Sequence, residues 1–254
     1  MKTITRKSLL YKSGVEYADY CLNHVEGCSH GCKYPCYAYL MKKRCGIVHT
    51  YEEWCTPKIV SNALELLEKE IPKYKDVIKY VHLCFSTDPF MYEQPEIGEL
   101  SIKIIGRLNQ DNIKCTTLTK GIYPTFTIKE GSVSNEYGIS LVSLDNKYRC
   151  EYEPHTAKYK DRIRALKKLH EAGEKTWVSI EPYPTPNIIK QDLIVLLKEV
   201  SFVEKMVFGR LNYSARASEW PAHKEFYNEC AETVTKFCLK NRIEYHIKEG
   251  TYTK

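Results

Sequence analysis

Arginine is scarce in this chain of 254 residues: of 38 basic side chains, nine are Arg and 29 are Lys, spread without any dense basic run. Base edges and phosphates are read best by arginine forks. The formal net charge of +6 therefore permits a nucleic-acid partner without indicating one. Long apolar runs are missing too. None approaches the roughly 18 residues needed to cross a bilayer, so no membrane association is expected. The amino-terminal stretch, residues 1–14, is basic, but its apolar part is too short for a signal peptide. The expected location is the cytoplasm. Internal repeats, low-complexity tracts and linkers are also absent, and residues 1–254 read as one domain with short extensions at each end.

Cysteine, by contrast, is plentiful, with 11 in the chain. In a reducing compartment clustered cysteines point to metal binding or catalysis rather than to disulfides. Cys84, Cys115, Cys230 and Cys238 fall within apolar or helical patterns and read as buried, inert thiols. Cys28, Cys32 and Cys36 differ: they stand within nine residues, Cys28-Ser29-His30-Gly31-Cys32-Lys33-Tyr34-Pro35-Cys36, after Gly27. Such a loop can wrap an iron–sulfur cluster, commonly held by thiolates. With three thiolates, a four-iron cluster keeps one iron open to a cofactor or substrate. The alternative is a structural zinc completed by His30, Cys21 or Cys45, in a non-enzymatic binding module. Zinc sites commonly use cysteine pairs two residues apart, and the chain has no such pair.

Strand-like and helix-like segments alternate from the cysteines onward. Thr56-Pro57 reads as a helix start, with Ile59, Val60, Ala63, Leu64, Leu67 and Ile71 on one buried face. Strands are expected at 80–85, 114–118, 137–142, 175–180, 205–208 and 243–247. Helices are expected at 97–108, 159–172, 189–200 and 223–241, the second closed by Gly173. A long loop is expected to run through Glu153-Pro154. This alternation predicts an α/β fold, a partial (β/α)6-type parallel barrel with the cysteine loop after its first strand. In such folds the strand carboxyl ends carry the chemistry. Here those ends hold Ser86-Thr87-Asp88, Thr119-Lys120, Ser140, Glu181 and Arg210-Leu211-Asn212.

Several of these segments together resemble the radical S-adenosylmethionine (SAM) superfamily, and within it the spore photoproduct lyase-like group. Gly27-Cys28, His30-Gly31-Cys32, Tyr34 and Cys36-Tyr37-Ala38 carry the likeness, with Ser86-Thr87-Asp88-Pro89-Phe90, Glu93, Pro95-Glu96 and Leu118-Thr119-Lys120. It continues through Ile139-Ser140-Leu141, Glu153-Pro154, Arg162 and His170-Glu171-Ala172-Gly173, covering roughly residues 20–190. The family's usual spacing is Cys-x3-Cys-x2-Cys with an aromatic residue before the last cysteine. Here it is Cys-x3-Cys-x3-Cys, with Pro35 inserted between Tyr34 and Cys36.

The resemblance implies an enzyme carrying a [4Fe-4S] cluster on Cys28, Cys32 and Cys36, open at one iron to SAM. Reductive cleavage of SAM would yield a 5′-deoxyadenosyl radical that abstracts hydrogen from a substrate. An external flavodoxin- or ferredoxin-type protein would supply the electron. Ser86 and Asp88 would accept from the SAM ammonium, with an ordinary strand-end turn as the alternative. Lys120 and Ser140 would meet its carboxylate, against a solvated lysine and a serine bonded to backbone. Tyr37 would lie near the adenine, and Glu181 and Asn212 near the nucleoside. Cys84 lies near the position of a hydrogen-donating cysteine in that group, against a buried strand thiol. Cys45 and Cys55 fit no spacing for a second cluster, and Tyr17 and Tyr20 read as core or strand residues. DNA pyrimidine-lesion repair is the group's named activity; another base, a peptide or a small metabolite are the other substrates this reading allows.

Overall fold

Apolar segments with period two and period 3.6 alternate along the chain, and in the structure most take the element their period favours. The structure is a computed structural model that describes residues 1–14, 18–124 and 133–253. In chain order the amino-terminal part holds β1 (Lys2–Ile4), β2 (Leu10–Lys12), β3 (Tyr20–Leu22), β4 (Val25–Glu26), α1 (Tyr37–Arg44), α2 (Tyr51–Trp54) and β5 (Lys58–Val60). Next come α3 (Ala63–Tyr74), β6 (Tyr80–Leu83), α4 (Pro95–Gln110), β7 (Lys114–Thr119) and β8 (Glu136–Ser140). The chain continues with α5 (Asn146–Tyr152), α6 (Tyr159–Glu171), β9 (Lys175–Tyr183) and α7 (Leu193–Glu199). Last are β10 (Lys205–Arg210), α8 (Ala215–Ser218), α9 (His223–Asn241) and β11 (Glu244–Ile247).

The main sheet has eight strands in the order β11-β10-β9-β8-β7-β6-β3-β2. All neighbours from β3 to β11 pair in parallel, and only β2 runs antiparallel, at the edge. The expected α/β partial barrel is therefore what forms, with β11 as a seventh parallel strand. One sheet face is covered by helices through Leu67, Ile71, Ile104, Ile105, Leu108, Leu166, Leu197 and Val234, all buried. Burying side chains of this size stabilises by roughly 1.5–3 kcal/mol each before entropy is counted. The cysteine loop follows the first parallel strand, β3, after the two-residue strand β4.

Two expectations are corrected. Residues 58–60 form β5, not the first turn of a helix. The strand pairs with β1 and β4 in a separate three-stranded sheet, and the helix begins only at Ala63. Pairing with a strand over fifty residues away overrides the local helical spacing. The stretch before Glu153 is likewise no loop: Asp145 caps α5 by accepting from the Lys147 amide. Tyr20 lies in β3; Tyr17 falls outside the described residues.

Candidate active site

Because side chains alternate across a strand, each parallel strand sends every second residue to the uncovered face. At the carboxyl ends these residues are His82 and Cys84, Leu118 and Lys120, Ser140, Ser179 and Glu181, then Arg210 and Asn212. Together with Cys28, Cys32, Cys36, Tyr37, Ser86, Asp88 and Lys248 they line one cavity of about 540 Å³. Every site residue expected from the sequence lies on its wall, Cys84 included.

The cysteine loop is braced from several sides. Gly27, at φ +84°, passes so close to the next segment that a Cβ would lie 2.7 Å from the Trp54 carbonyl oxygen. The Cys28 amide donates to that same oxygen at 2.8 Å. His30 is buried, and its Nε2 accepts from the Tyr92 amide at 3.0 Å. The other nitrogen, Nδ1, must then carry the proton, and it faces Asp88 Oδ2 at 3.5 Å. Burial, aided by the charges of Arg162 and Lys120, lowers the His30 pKa to about 3, so the ring is neutral. Tyr34, just before the inserted Pro35, reaches Glu153, whose Oε1 accepts from its hydroxyl at 2.9 Å. Cys36 meanwhile sits at the start of α1 and faces the cavity. The aromatic residue that the usual spacing places beside the last cysteine is thus turned to a bracing role. Tyr37 instead faces the cavity, edge-on to Phe85 at 5.8 Å.

Asp88 is more fully occupied than its sequence reading supposed. Its Oδ1 accepts from the Phe90 amide at 2.9 Å and Thr119 Oγ1 at 2.6 Å, and Oδ2 from the Lys120 amide at 2.7 Å. It brackets the end of β7 to the loop after β6. Ser86 has the opposite character. Its hydroxyl donates to Asn23 Oδ1 at 3.2 Å, so the oxygen's lone pairs remain as acceptors. Behind them, Glu153 and Arg162 form a fully buried pair at 2.9 Å. Arg162 also donates to the carbonyls of Ser140 at 2.9 Å and Ala157 at 3.0 Å. Burial would raise the Glu153 carboxyl, but Arg162 and Lys120 together hold it below its usual range. Lys120 Nζ lies 3.9 Å from Glu153 Oε1.

Cys84 sits at φ +57°, an uncommon backbone region for a residue with a side chain. Ser101 gives its only hydroxyl proton to a carbonyl, that of Pro89 at 2.5 Å or Ile97 at 3.0 Å. It must then accept from His24 Nε2 at 2.7 Å, which leaves His24 Nδ1 bare. That atom lies 3.3 Å from Cys84 Sγ, so the thiol proton points to His24. Burial pushes the Cys84 thiol up to about 12.

The donor set fits an iron–sulfur cluster. Cys28 and Cys32 are soft donors whose thiol pKa values burial has raised, the second to about 12. Without a cation they stay protonated, and a metal centre displaces the protons. Among the described residues no group of three or more His, Cys, Asp or Glu side chains is arranged to hold a single metal ion. Sequence reasoning missed Phe85, His24, Asn23, Lys248 and the roles of His30 and Glu153. Their partners lie so far along the chain, 119 residues for Tyr34 and Glu153, that only the folded chain shows them.

A parallel-strand partial barrel with a three-cysteine loop over its strand ends defines a class of cofactor-dependent enzymes. Residues 22–200 match the family model described as Radical SAM superfamily, and the chain belongs to that superfamily. It is an enzyme, and the superfamily's cofactors are a [4Fe-4S] cluster and S-adenosylmethionine. The zinc-module alternative is overturned by this match. An uncharacterized protein of Acidianus two-tailed virus is 25% identical over 214 residues, 78% of this chain and 69% of that protein. An uncharacterized protein of Methanocaldococcus jannaschii is 24% identical over 194 residues, 76% of this chain and 70% of that protein. Spore photoproduct lyase complexed with dinucleoside spore photoproduct superposes with a TM-score of 0.69 at 15% identity, over 98% of this chain and 81% of that one. That identity speaks for the fold alone. Among the described residues no helix is long and apolar enough to cross a membrane.

Proposed function

We propose that Cys28, Cys32 and Cys36 hold the cluster, with SAM across the neighbouring strand ends, and that the enzyme abstracts hydrogen from an organic substrate. One observation carries the reading: the three thiols of a single loop share a cavity with Ser86, Lys120, Ser140, Glu181 and Asn212 from successive strand ends. When bound, the cluster and SAM supply reductive cleavage of the sulfonium to methionine and a 5′-deoxyadenosyl radical.

The chain's own residues bind and orient. Ser86 accepts from the SAM ammonium through the lone pairs left by its bond to Asn23. Asp88 acts one step back, fixing the Lys120 backbone. Lys120, held near Glu153, presents its ammonium to the SAM carboxylate, with the Ser140 hydroxyl beside it. Tyr37 and Phe85 offer ring surface to the adenine. Glu181 and Asn212 border the nucleoside. Cys84, with its proton directed at His24, is a structural thiol rather than the hydrogen donor. Residues 1–254 act as one domain, and a flavodoxin- or ferredoxin-type protein supplies the electron in a reducing cytoplasm.

Iron and labile sulfide content tests the ligand set. Replacing Cys28, Cys32 or Cys36 singly by Ala is expected to abolish cluster binding. Deleting Pro35 is expected to preserve it, since the thiols rather than the Tyr34–Glu153 brace bind iron. An intact cluster in all three alanine variants would refute the assignment.

A further inference from the structure

The late-strand wall of the cavity carries a cation, Arg210, that among the described residues forms no ion pair within 4.0 Å. β10 ends at Arg210, and Lys248 directly follows β11; both line the cavity. The Lys248 amide donates to the Phe208 carbonyl at 2.8 Å, which extends the β10–β11 pairing and brings Lys248 to the strand end where Arg210 stands. Lys248 Nζ lies 3.8 Å from Glu181 Oε2, and Lys120, on the opposite wall, lies 3.9 Å from Glu153. Among the described residues no carboxylate comes within 4.0 Å of the Arg210 guanidinium.

The guanidinium is nonetheless held in place. Its Nε donates to Asn212 Oδ1 at 2.8 Å. A guanidinium can only donate, so the amide oxygen of Asn212 must face it and the amide NH₂ must turn the other way. The bond fixes the plane of the fork and leaves its terminal nitrogens as donors. Gly209 makes room for the neighbouring carboxylate: a Cβ there would lie 2.8 Å from Glu181 Cδ, so the Glu181 side chain lies flat across β10. A fixed fork, a further amide donor and an adjacent ammonium match the geometry by which oxyanions are recognised. Because the fork is ordered before any ligand arrives, less entropy is lost on binding.

We infer that Arg210, with Asn212 and Lys248 beside it, binds an oxyanion group of the substrate, a carboxylate or a phosphate. The inference rests on the cavity being the SAM and substrate chamber. The test is calorimetric titration of the reconstituted full chain, saturated with SAM under anaerobic conditions, with inorganic phosphate and separately with acetate. The tighter probe names the group. R210Q is expected to weaken that probe at least about tenfold, as loss of a charged fork should. R210K, which keeps charge without the fork, should weaken it about threefold and covers the case in which R210Q folds poorly.

Arg210-independent binding of both probes would overturn the inference. So would displacement of SAM by the probe, because Arg210 would then hold the cofactor's own carboxylate. The two readings fail separately. SAM cleavage by a protein that binds neither probe through Arg210 would sink the anion site alone. Arg210-dependent binding in a cluster-loaded protein that never cleaves SAM would sink the proposed function alone.

Discussion

The two walls of the cavity are built on opposite plans. On the early-strand wall Glu153 and Arg162 are 0% exposed and 2.9 Å apart, Asp88 is 7% exposed and accepts the Lys120 amide at 2.7 Å, and Lys120 is 16% exposed with its Nζ 3.9 Å from Glu153. On the late-strand wall Glu181 and Lys248 are 24% and 22% exposed and 3.8 Å apart, and Arg210 donates to the Asn212 amide oxygen, with no ion pair among the described residues. A buried network is costly unless complete, and completeness makes it rigid. A rigid wall suits a group whose shape never varies, as SAM's does. On the proposed reading the looser wall serves two ligands: Glu181 and Asn212 border the nucleoside, and Arg210 keeps its terminal donors for the substrate.

The sharpest way to break this contrast is to cut the early wall. Glu153→Ala leaves Arg162 charged and buried, and should cost about 3–5 kcal/mol in urea unfolding of the apo chain. A loss below about 1 kcal/mol would mean the wall is hydrated, and the contrast would vanish. Asp88→Asn replaces an acceptor with an amide that meets the Lys120 amide or His30 donor to donor. It should cost about 1–3 kcal/mol. SAM affinity should fall with it by equilibrium dialysis, since Lys120 moves. Lys120→Ala should lower SAM affinity about tenfold, one charged hydrogen bond's worth, with iron content unchanged.

Acid tests the same side. His24, between β3 and β4, and His82, in β6, are held neutral with pKa values of about 3, burial being the main cause. Both lie below the unfolded value of 6.5. Between those values the unfolded chain binds more protons, so stability falls as pH drops below about 6.5. Each histidine should contribute about 2 kcal/mol of loss between pH 6.5 and 5, and His24→Gln should flatten the pH dependence of the urea midpoint. The smallest effect belongs to the late wall, where Arg210→Gln should change stability by less than about 0.5 kcal/mol.

Much of this architecture was legible in the residues. Period-two apolar runs located the parallel strands of the barrel after the cysteines, and polar strand ends pointed to Ser86, Asp88, Lys120, Ser140, Glu181 and Asn212, all of which line the cavity. What escaped has physical causes. Ile59 and Val60 stand at helical spacing from Ala63 and Leu67, and only their distant partners in β1 and β4 make them a strand. In the stretch 146–152 only Tyr148 and Tyr152 share a helical face, so α5 left a trace of just two residues. Asp88 read as a free acceptor because the amides and hydroxyl that occupy it come from Phe90, Thr119 and Lys120 after folding. Contacts of that kind are set by topology, not by local pattern.

The most direct test of the central claim is 5′-deoxyadenosine formation by anaerobically reconstituted protein supplied with SAM and a strong reductant. The account predicts product from the wild-type chain and none from C28A, C32A or C36A. Equal product from those variants would contradict it, as would no product from wild-type protein verified to hold a four-iron cluster and saturated with SAM.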